Sequence, residues 1–542
     1  MNILNDIVRS HEAPQSLTKS DITSSKRVFH YLLEDRAAAV EQKTCLVMED
    51  RIMTWREMDC EANRWANGLF AEGIRKGDRV LLMIPAGLDH VLIWLGLCKL
   101  GAIMVPINDA YHGAMLRHQV NDSEAALAIV AEQHIPNWID LIADLSHLRN
   151  IAIFGGDGLQ SPAYVPWVWS KATSLCSSDI SPLPRIVSGY DPMAIFYTSG
   201  TTGPSKGVLY SYAQAWATAE VPAEWCAQED VFYMFLPMYH VGLSQMFGMV
   251  LLSGATMVVR EKFSVNNFWH DVRRYDVTMT ILLSTMPNFL MSLPADNGDR
   301  DHSLRKAVVI PVPADLDAFK ARFGVEVATF FNMTEVSVPL CSNGFNLENV
   351  TSAGRPRPGV TARVVDEFDE PVPPGKAGEL VVRAERPWEF FLGYWKNPAK
   401  TLESCRNLWF HTGDSFRTDA DGNFYFVDRL NDAIRRRGEN ISSFEVEREI
   451  NTHPAVLESA AVAVPSSVGE DEIKAVAALK PGATLTADDL HAHLAARLPA
   501  YMVPHFIEIS TAELPKTPTG KIVKASLRAS GISAAWSSGG KS

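Results

Sequence analysis

The sequence predicts an α/β fold, with a large N-terminal body of mostly parallel sheets covered by helices, a small β-rich subdomain and then a small α+β C-terminal domain. Short apolar runs alternate with helical segments as far as Ile310, which is typical of parallel sheets covered by helices. From Gly354, short strands with turns rich in Pro and Gly predict the β-rich subdomain. After Asp428 the chain turns basic and runs strand, helix, strand, helix, which predicts a separate domain.

The composition is that of a large globular protein. Of 542 residues, 47% are hydrophobic and 21% are charged, so disorder, collagen-like repeats and coiled coil are excluded as descriptions of the whole chain. The formal net charge of −13 argues against a protein that acts on nucleic acid or anionic lipid. Any anionic ligand must therefore meet local positive charge.

Cysteine usage and apolar patterning indicate a cytoplasmic protein without an integral membrane segment. The seven cysteines form no Cys-x-x-Cys pair, which favours a reducing compartment over a disulfide framework or a zinc cluster. Asp6 lies where a signal peptide needs a basic start and an apolar core, so we expect no export. The windows 91–107 and 241–259 contain Lys99 and Gln245 and fall short of the about 20 clean apolar residues of a membrane span. We interpret both windows as buried core.

The first predicted elements are one helix and two buried strands. Thr54 and Glu57 form a capping-box pattern that begins the helix, and Gly73 ends it. The continuous apolar runs Val80–Ile84 and Ala102–Pro106 fit strands buried on both faces. The alternation continues through six more short runs: Leu127–Val130, Ile151–Phe154, Met193–Tyr197, Val231–Phe235, Thr278–Leu283 and Ala307–Ile310. In the β-rich part, Asp421-Gly422 is a hairpin signal.

The most informative stretch is Tyr197–Gly207, which reads Tyr-Thr-Ser-Gly-Thr-Thr-Gly-Pro-Ser-Lys-Gly and directly follows the apolar strand Met193–Phe196. Its glycines let backbone amides approach an anion, its hydroxyls donate hydrogen bonds, and Lys206 adds positive charge. Because so many such residues follow a buried strand, the pattern favours a phosphate-binding loop over a flexible surface loop.

Two other motif interpretations of this stretch fit less well. A Walker A loop needs four residues between its glycines and a Ser or Thr after its lysine, but only two separate Gly200 from Gly203 and Lys206 precedes Gly207. Gly203–Gly207 also matches the Gly-x-Ser-x-Gly nucleophile elbow of hydrolases. Pro204 argues against that match because it removes an amide donor and restricts the turn.

With these residues, the loop resembles the phosphate-binding signature of the adenylate-forming superfamily, which includes acyl-CoA synthetases, firefly luciferase and peptide-synthetase adenylation domains. Four further motifs follow in the family's order, which makes chance agreement negligible. They are Phe331-Asn-Met-Thr-Glu335, Trp409-Phe-His-Thr-Gly-Asp414, Asp428–Ile441 with Glu445, and Pro515–Lys521.

The resemblance implies an acid–thiol ligase, an AMP-forming acyl-CoA synthetase. In the family reaction a carboxylate attacks the α-phosphate of ATP and releases pyrophosphate, and the thiol of CoA then displaces AMP from the acyl-adenylate. The implied partners are ATP, CoA and a small-molecule carboxylic acid. Mg²⁺ is the implied cofactor because two anions must meet in a site of low dielectric. The oligomeric state stays open between monomer and homodimer.

The resemblance also implies roles for the residues of the first two motifs. The β- and γ-phosphates would be held by the loop residues Thr198, Ser199, Gly200, Thr201, Thr202, Gly203 and Lys206. Glu335 would bind Mg²⁺ with a loop hydroxyl, that of Thr198. Thr334 would lie at the α-phosphate. Phe331 and Asn332 would line the adenine, where the family more often has Tyr-Gly.

Two residues would hold the ribose, and one lysine would act in adenylation. Asp414 would accept both ribose hydroxyls with its two oxygens, and Arg429 would support the same sugar. Taken alone, Asp414 also fits a turn residue and Arg429 a surface ion pair. Lys521 resembles the lysine that bridges the attacking carboxylate and the α-phosphate.

The second half reaction implies motion of the C-terminal domain. In the family this mobile domain swings about a hinge, which withdraws the lysine and brings the segment at Gly438 to the pantetheine tunnel, where a side chain would obstruct the thiol. The hinge residue is usually Asp or Lys and is Asn431 here. The implied division is an adenylate-forming body at 1–428, a hinge at 429–431, a mobile domain at 432–528 and a disordered tail at 529–542.

The acyl pocket is the part that the sequence describes least. Pro237–Gly242 resembles the synthetase segment that gates the pocket, which places His240 there; a core histidine is the competing interpretation. Arg386–Trp388 before Gly393-Tyr-Trp395, and the run Asn407–Asp414, resemble carnitine and crotonobetaine CoA ligases.

Three alternatives to the acyl-CoA ligase stay open. An adenylating enzyme could pass the acyl group to a carrier-protein thiol or to oxygen chemistry of the luciferase kind, although no carrier or condensation module lies in this chain, which favours CoA. A hydrolase using Gly203–Gly207 is more distant. A nucleotide-binding protein without catalytic function is disfavoured because Lys521 and Glu335 are both present.

Overall fold

A computed structural model gives the structure of much of the chain. It describes residues 26–139, 141, 145, 147–155, 168–200, 203–283, 286–291, 293–296, 298–310, 312, 316–345, 347, 352–429, 434–436, 439–441, 443–465, 471–480, 482–515, 522, 524–533 and 535–538. At residues 168, 169, 199, 200, 203, 288, 427–429, 435, 439, 440, 444, 445, 448 and 525 it describes the backbone alone.

The chain divides into two compact units. The first comprises residues 1–109, 120–196 and 207–427, and the second comprises 110–119, 197–206 and 428–542. The second unit therefore includes two segments of the N-terminal half, one of which carries most of the glycine-rich loop. The predicted domain boundaries at 428 and 431 stay predictions.

Fourteen α-helices lie in the described residues, numbered in chain order. They are α1 Phe29–Ala39, α2 Trp55–Ala71, α3 Leu88–Leu100, α4 Gly113–Ser123, α5 Ile135–Ile139, α6 Tyr212–Trp225, α7 Gly242–Ser253, α8 Val265–Arg274, α9 Met286–Met291, α10 Leu316–Phe323, α11 Pro398–Ser404, α12 Ser443–Asn451, α13 Ala487–Ala495 and α14 Lys524–Ala529.

Two large sheets contain most of the strands between residues 44 and 394. One has seven strands in the order β14 Glu326–Ala328, β13 Lys306–Ile310, β12 Met279–Leu283, β10 Val231–Met234, β11 Thr256–Val259, β1 Thr44–Met48 and β2 Arg51–Thr54. The other has eight in the order β20 Gly393–Tyr394, β9 Gly203–Ser211, β8 Pro192–Gly200, β4 Ile103–Pro106, β3 Arg79–Met83, β5 Leu127–Ala131, β6 Asn150–Phe154 and β7 Val168–Lys171. The strands from β14 to β1 in the first sheet, and from β8 to β7 in the second, pair in parallel with their neighbours, whereas β2 runs antiparallel to β1 and β20 runs antiparallel to β9.

Four smaller sheets complete the fold. They are β15 Phe330–Met333, β16 Ser337–Cys341 and β17 Arg355–Pro356; β18 Val360–Val365, β19 Gly378–Ala384, β21 Phe410–Thr418 and β22 Phe424–Arg429; β23 Ile434–Arg436 and β24 Glu439–Ile441; and β25 Val456–Pro465, β26 Asp471–Leu479, β27 Phe506–Ser510 and β28 Trp536–Ser537. The α/β class, the β-rich part and the α+β C-terminal part are thus confirmed.

The predicted helix start and the predicted strands are confirmed, because both depend on interactions between residues close together in the sequence. At the start of α2, the Thr54 hydroxyl accepts from the Glu57 amide over 3.2 Å and Glu57 Oε2 accepts from the Thr54 amide over 2.8 Å, which closes the capping box. Every predicted apolar run overlaps a strand of a large sheet.

The two most apolar windows are buried core, as expected. Trp94 on α3 and Phe247 on α7 are fully buried, and their ring centroids lie 5.7 Å apart in an edge-to-face contact. No helix in the described part of the chain is long and apolar enough to cross a membrane. All seven cysteines are free.

The described part of the predicted tail, residues 529–533 and 535–538, makes specific contacts within the second unit. In the second unit, the buried ammonium of Lys474 lies 2.7 Å from Glu508 Oε2 and donates to the carbonyl of Gly531 over 2.7 Å. Trp536 pairs with Ile507 as part of β28. A buried ammonium needs such acceptors, and an indole gains free energy from packing, so these tail residues lie against the domain.

Candidate active site

Thr334 and Glu335 lie in the turn between two antiparallel strands. β15 ends at Met333, which pairs with Ser337 at the start of β16, and the Val336 amide donates to the Met333 carbonyl over 3.2 Å. Ser337 is buried with φ 61°, and its hydroxyl donates to the Glu389 carbonyl over 2.8 Å. A non-glycine residue with positive φ persists only where its surroundings hold it, so this turn is tightly determined.

A buried glutamine fixes the backbone of the same turn. Gln214 lies in the first turn of α6, and its Nε2 donates to the carbonyls of Thr334 over 2.8 Å and Glu335 over 3.1 Å. The amide of Phe391 also donates to the Glu335 carbonyl over 2.8 Å. The sequence gives no indication that Gln214 contacts this turn. It shows only that Gln214 lies three residues after Ser211, the N-cap of the helix.

Glu335 is 7% exposed, and its carboxylate has a specific partner. Tyr394 Oη donates to Glu335 Oε1 over 2.8 Å. Burial, and then the neighbouring charge of Glu335, raise the pKa of Tyr394. The hydroxyl is therefore a neutral donor at ordinary pH. The Gly-Tyr-Trp segment was visible in the sequence, but nothing there joined it to Glu335.

Asn332 and Phe331 connect this strand to two other parts of the first unit. Asn332 Nδ2 donates to Oε1 of Gln245 on α7 over 3.1 Å. The Phe331 ring meets the Phe416 ring edge to face at 5.1 Å, and Phe416 lies two residues beyond Asp414 on β21. A ring of the Phe-Asn-Met-Thr-Glu motif therefore contacts the strand that carries Asp414.

His240 is exposed, so the competing interpretation as a core histidine is wrong. It follows Tyr239, whose ring centroid lies 4.5 Å away, and precedes α7 by two residues. Its helix carries Gln245, the partner of Asn332. The predicted gate segment thus precedes the helix that contacts Asn332.

Asp414 is 3% exposed and lies in a strand rather than in a surface turn. Its amide donates to the Thr412 hydroxyl over 3.1 Å, and the amide of Gly413 donates to Glu379 Oε1 over 3.0 Å. Burial alone would raise the pKa of Glu379, but hydrogen bonds from His411 and Gly413 hold it below its ordinary value. The backbone around Asp414 is therefore fixed by an ionised carboxylate.

Most of the glycine-rich loop belongs to the second unit, where two residues of α4 hold its end. His118 Nε2 donates to the Ser205 carbonyl over 2.8 Å, and Gln119 Nε2 donates to the Ser205 hydroxyl over 3.2 Å. Thr198 and Lys206 are partly exposed. Ser205 is buried within β9, not on a sharp turn, which disfavours the nucleophile elbow. The sequence interpretation missed both His118 and Gln119.

Several predicted site residues carry no side-chain description. Thr201, Thr202, Asn431, Gly438 and Lys521 lie outside the described residues. Only the backbone is described at four others, namely Ser199, Gly200 and Gly203 in the loop and Arg429 at the end of β22. Their roles stay predictions.

The donor set at Glu335 fits a magnesium ion that is shared with a nucleotide. Mg²⁺ takes hard oxygen ligands, and in nucleotide sites one or two carboxylates act together with phosphates and water. Glu335 has one such carboxylate, which accepts a hydrogen bond from Tyr394. Within the part of the chain that the structure describes, no group of three or more His, Cys, Asp or Glu could hold a metal ion by itself.

Comparison with known proteins decides the family. The profile of the AMP-binding enzyme matches residues 33–395, and that of the AMP-binding enzyme C-terminal domain matches residues 445–521. The chain belongs to the AMP-binding enzyme family. The resemblance drawn from the five motifs is therefore confirmed.

Curated relatives of this AMP-binding enzyme include crotonobetaine/carnitine–CoA ligases. That of Salmonella paratyphi B is 32% identical over 517 residues, which cover 91% of this chain and 98% of the relative. That of Salmonella typhi is 32% identical over 513 residues with the same coverage. These matches agree with the more specific resemblance seen in the Arg386–Trp388 and Asn407–Asp414 segments.

Solved structures of similar fold include several CoA ligases. A variant of o-succinylbenzoate CoA synthetase from Bacillus subtilis superposes with a TM-score of 0.79 at 22% identity, covering 92% of this chain and 98% of that one. An anthranilate CoA ligase in complex with anthranoyl-AMP gives 0.69 at 27% identity, covering 94% and 98%. The fatty acyl CoA synthetase of Mycobacterium tuberculosis gives 0.66 at 26%, covering 93% and 98%. The fold of this AMP-binding enzyme is thus that of the adenylate-forming enzymes.

Proposed function

We propose that this protein is an AMP-forming acyl-CoA ligase that uses ATP and Mg²⁺ to activate a carboxylic acid. The observation that carries the proposal is the turn at Thr334 and Glu335, whose backbone is held by Gln214 and whose carboxylate is held by Tyr394. The CoA ligases among its relatives support CoA as the acyl acceptor over a carrier-protein thiol.

In the first half reaction, a carboxylate oxygen of the acid attacks the α-phosphorus of ATP. The bond from that phosphorus to the oxygen bridging to the β-phosphate breaks, and pyrophosphate leaves. Thr334 contacts the α-phosphate, and Asp414 fixes the ribose so that attack is in line. Glu335 and Thr198 would hold Mg²⁺, which would supply neutralising charge to the phosphates.

Cationic and amide groups complete the charge balance of that step. Thr198 and Lys206, with the glycines between them, hold the β- and γ-phosphates. Lys521 bridges the attacking carboxylate and the α-phosphate, which lowers the repulsion between two anions in a site of low dielectric. Arg429 supports the ribose beside Asp414.

In the second half reaction, the thiol sulfur of CoA attacks the acyl carbonyl carbon. The bond from that carbon to the phosphate oxygen breaks, AMP leaves, and the thiol proton passes to solvent. We assign Asn431 as the hinge of the accompanying domain swing and Gly438 as the residue that leaves room for the thiol. His240 lines the acyl pocket.

A panel of carboxylic acids, beginning with crotonobetaine and carnitine, tests the reaction class. Purified protein with ATP, Mg²⁺ and CoA is scored for pyrophosphate and AMP. Release of both, dependent on the acid, is the expected result. AMP release that does not depend on CoA would argue against CoA as the acyl acceptor. Formation of ADP and phosphate would overturn the proposal.

The role of Lys521 is tested by separating the two half reactions. In Lys521→Ala, acid-dependent pyrophosphate release should fall far more than thioester formation from preformed acyl-adenylate, because the lysine acts only in adenylation. Lys480→Ala, at an exposed lysine of the same domain, is the matched control. Equal losses in both half reactions would contradict the assignment.

We also assign the protein to the cytoplasm. Seven free cysteines support a reducing compartment, because disulfides are rare where thiols are kept reduced. Fractionation of the source cells would test this assignment.

A further inference from the structure

Tyr394 is fixed in place by the strand that leaves the glycine-rich loop. The residue is 9% exposed and belongs to β20, where Tyr394 pairs with Val208 and Gly393 pairs with Leu209. On either side, the amide of Leu392 donates to the Leu209 carbonyl over 2.8 Å. The amide of Trp395 likewise donates to the carbonyl of Gly207 over 2.7 Å. The tyrosine backbone therefore has little freedom relative to residues 207–209.

The side chain of Tyr394 is held as firmly as its backbone. Its ring meets the Phe391 ring edge to face at 5.1 Å, and its amide donates to the Thr401 hydroxyl over 2.8 Å. Phe391 in turn donates its amide to the Glu335 carbonyl over 2.8 Å. One short segment thus contacts both the backbone and the carboxylate of Glu335.

The hydrogen bond from Tyr394 engages only one of the two carboxylate oxygens of Glu335. Oη donates to Oε1 over 2.8 Å, while Oε2 makes no hydrogen bond among the residues that the structure describes. A carboxylate on a long side chain otherwise rotates, and holding one oxygen removes that freedom before a ligand binds. A neutral phenol does this without competing for the metal, whereas a lysine would neutralise the carboxylate.

We propose that Tyr394 is a positioning residue for Glu335, holding Oε1 so that Oε2 is presented to the divalent ion that accompanies the nucleotide. The inference rests on the proposed function and deepens it. Partners of metal ligands orient those ligands, and their loss typically weakens metal affinity by about 10- to 100-fold. Because β20 pairs with the strand that leaves the loop, the same tyrosine ties the carboxylate to residues 207–209.

The test is Tyr394→Phe, which removes one oxygen atom and keeps the ring. The apparent half-saturating Mg²⁺ concentration should rise about tenfold at saturating ATP, with a smaller change in kcat. Calorimetric titration, without turnover, should show the same weakening for ATP with Mg²⁺ and no change for ATP in excess chelator. The matched control is Tyr425→Phe, which removes a similar 2.7 Å bond from tyrosine to Asp419 at a surface hairpin.

A double-mutant cycle distinguishes positioning from a general structural role. In Glu335→Gln, whose side chain is a poor metal ligand, adding Tyr394→Phe should leave the Mg²⁺ dependence unchanged. Thr401→Val keeps the phenol but loosens its strand, and should raise half-saturating Mg²⁺ by a smaller factor. Thr401→Val replaces Tyr394→Phe as the test if the Phe variant does not fold.

Unchanged Mg²⁺ dependence in a folded Phe variant would overturn the inference, as would a fall in kcat alone. Additive effects in the Glu335→Gln background would overturn it too. If no acid gave pyrophosphate but the Phe variant still weakened binding of ATP with Mg²⁺, the proposed function would fail while this inference stood.

Discussion

Asn332 donates from its side-chain amide to Oε1 of Gln245 over 3.1 Å, which joins the adenine motif to the helix that follows His240. Gln245 is buried, and its own amide donates to the Thr218 carbonyl over 3.4 Å. Both amides therefore have fixed orientations. The family more often has glycine at the position of Asn332, so the pair is a particular feature of this chain.

Replacing Asn332 by glycine should enlarge the space beside this helix and change the acid preference. We expect kcat/KM for bulkier acids to rise by about tenfold relative to the preferred acid, since one small group in a pocket is worth that much. The KM for ATP should change little. The measurement is kcat/KM for a series of acids of increasing size, each at saturating ATP. Unaltered acid selectivity with a raised KM for ATP would place Asn332 at the adenine alone.

Replacing Gln214 by leucine should loosen the turn of Thr334 and Glu335. Two buried carbonyls would lose their donor, and each such loss costs about 1–3 kcal/mol. We expect a lower free energy of unfolding by denaturant, and a lower rate of pyrophosphate release because Thr334 and Glu335 are no longer held. Gln133→Leu, at an exposed glutamine, is the control. Normal activity in a destabilised Gln214→Leu protein would mean that the turn is held by other contacts.

The parts of the fold that the sequence predicted are those set by local pattern. The capping box of Thr54 and Glu57 needs only four consecutive residues, and the parallel strands need only short apolar runs. The segment at Trp536 shows the limit. Its composition is typical of disorder, but the backbone of Trp536 pairs with Ile507 and its indole packs against His491.

The candidate site shows a different limit. Motif order placed Glu335 and Asp414 in the sequence, but the side chains that hold Glu335 come from residues 121 and 59 positions away. Gln214 and Tyr394 carry no periodic or compositional signal for that contact. Such partners are fixed by tertiary packing, so only the structure identifies them.

Replacing Gly354 by alanine should destabilise the protein far more than the same change at Gly375. Both glycines have positive φ, 93° and 86°, which costs a side chain about 1 kcal/mol. At Gly354 an added Cβ would lie 2.0 Å from the Cys341 carbonyl oxygen, whereas at Gly375 nothing lies within 4 Å. We expect more than about 3 kcal/mol of lost stability for Gly354→Ala, measured by denaturant unfolding. Similar losses at the two sites would show that backbone conformation alone sets the cost.

Acid should destabilise the protein partly through His90 on α3. Burial lowers the pKa of His90 to about 4, against an ordinary value of 6.5. Between these values the unfolded chain binds a proton that the folded chain does not, so stability is present above pH 6.5 and is lost as the pH falls towards 4. The difference corresponds to about 3 kcal/mol.

Replacing His90 by glutamine should therefore reduce the loss of stability between pH 6.5 and 4. The measurement is the free energy of unfolding by denaturant across that range, compared with wild type and with His147→Gln at an exposed histidine. The His90 variant should lose less stability with acid even if it is less stable at pH 7, because only its titration has been removed. Parallel pH profiles for all three proteins would mean that His90 binds its proton equally in the folded and unfolded states.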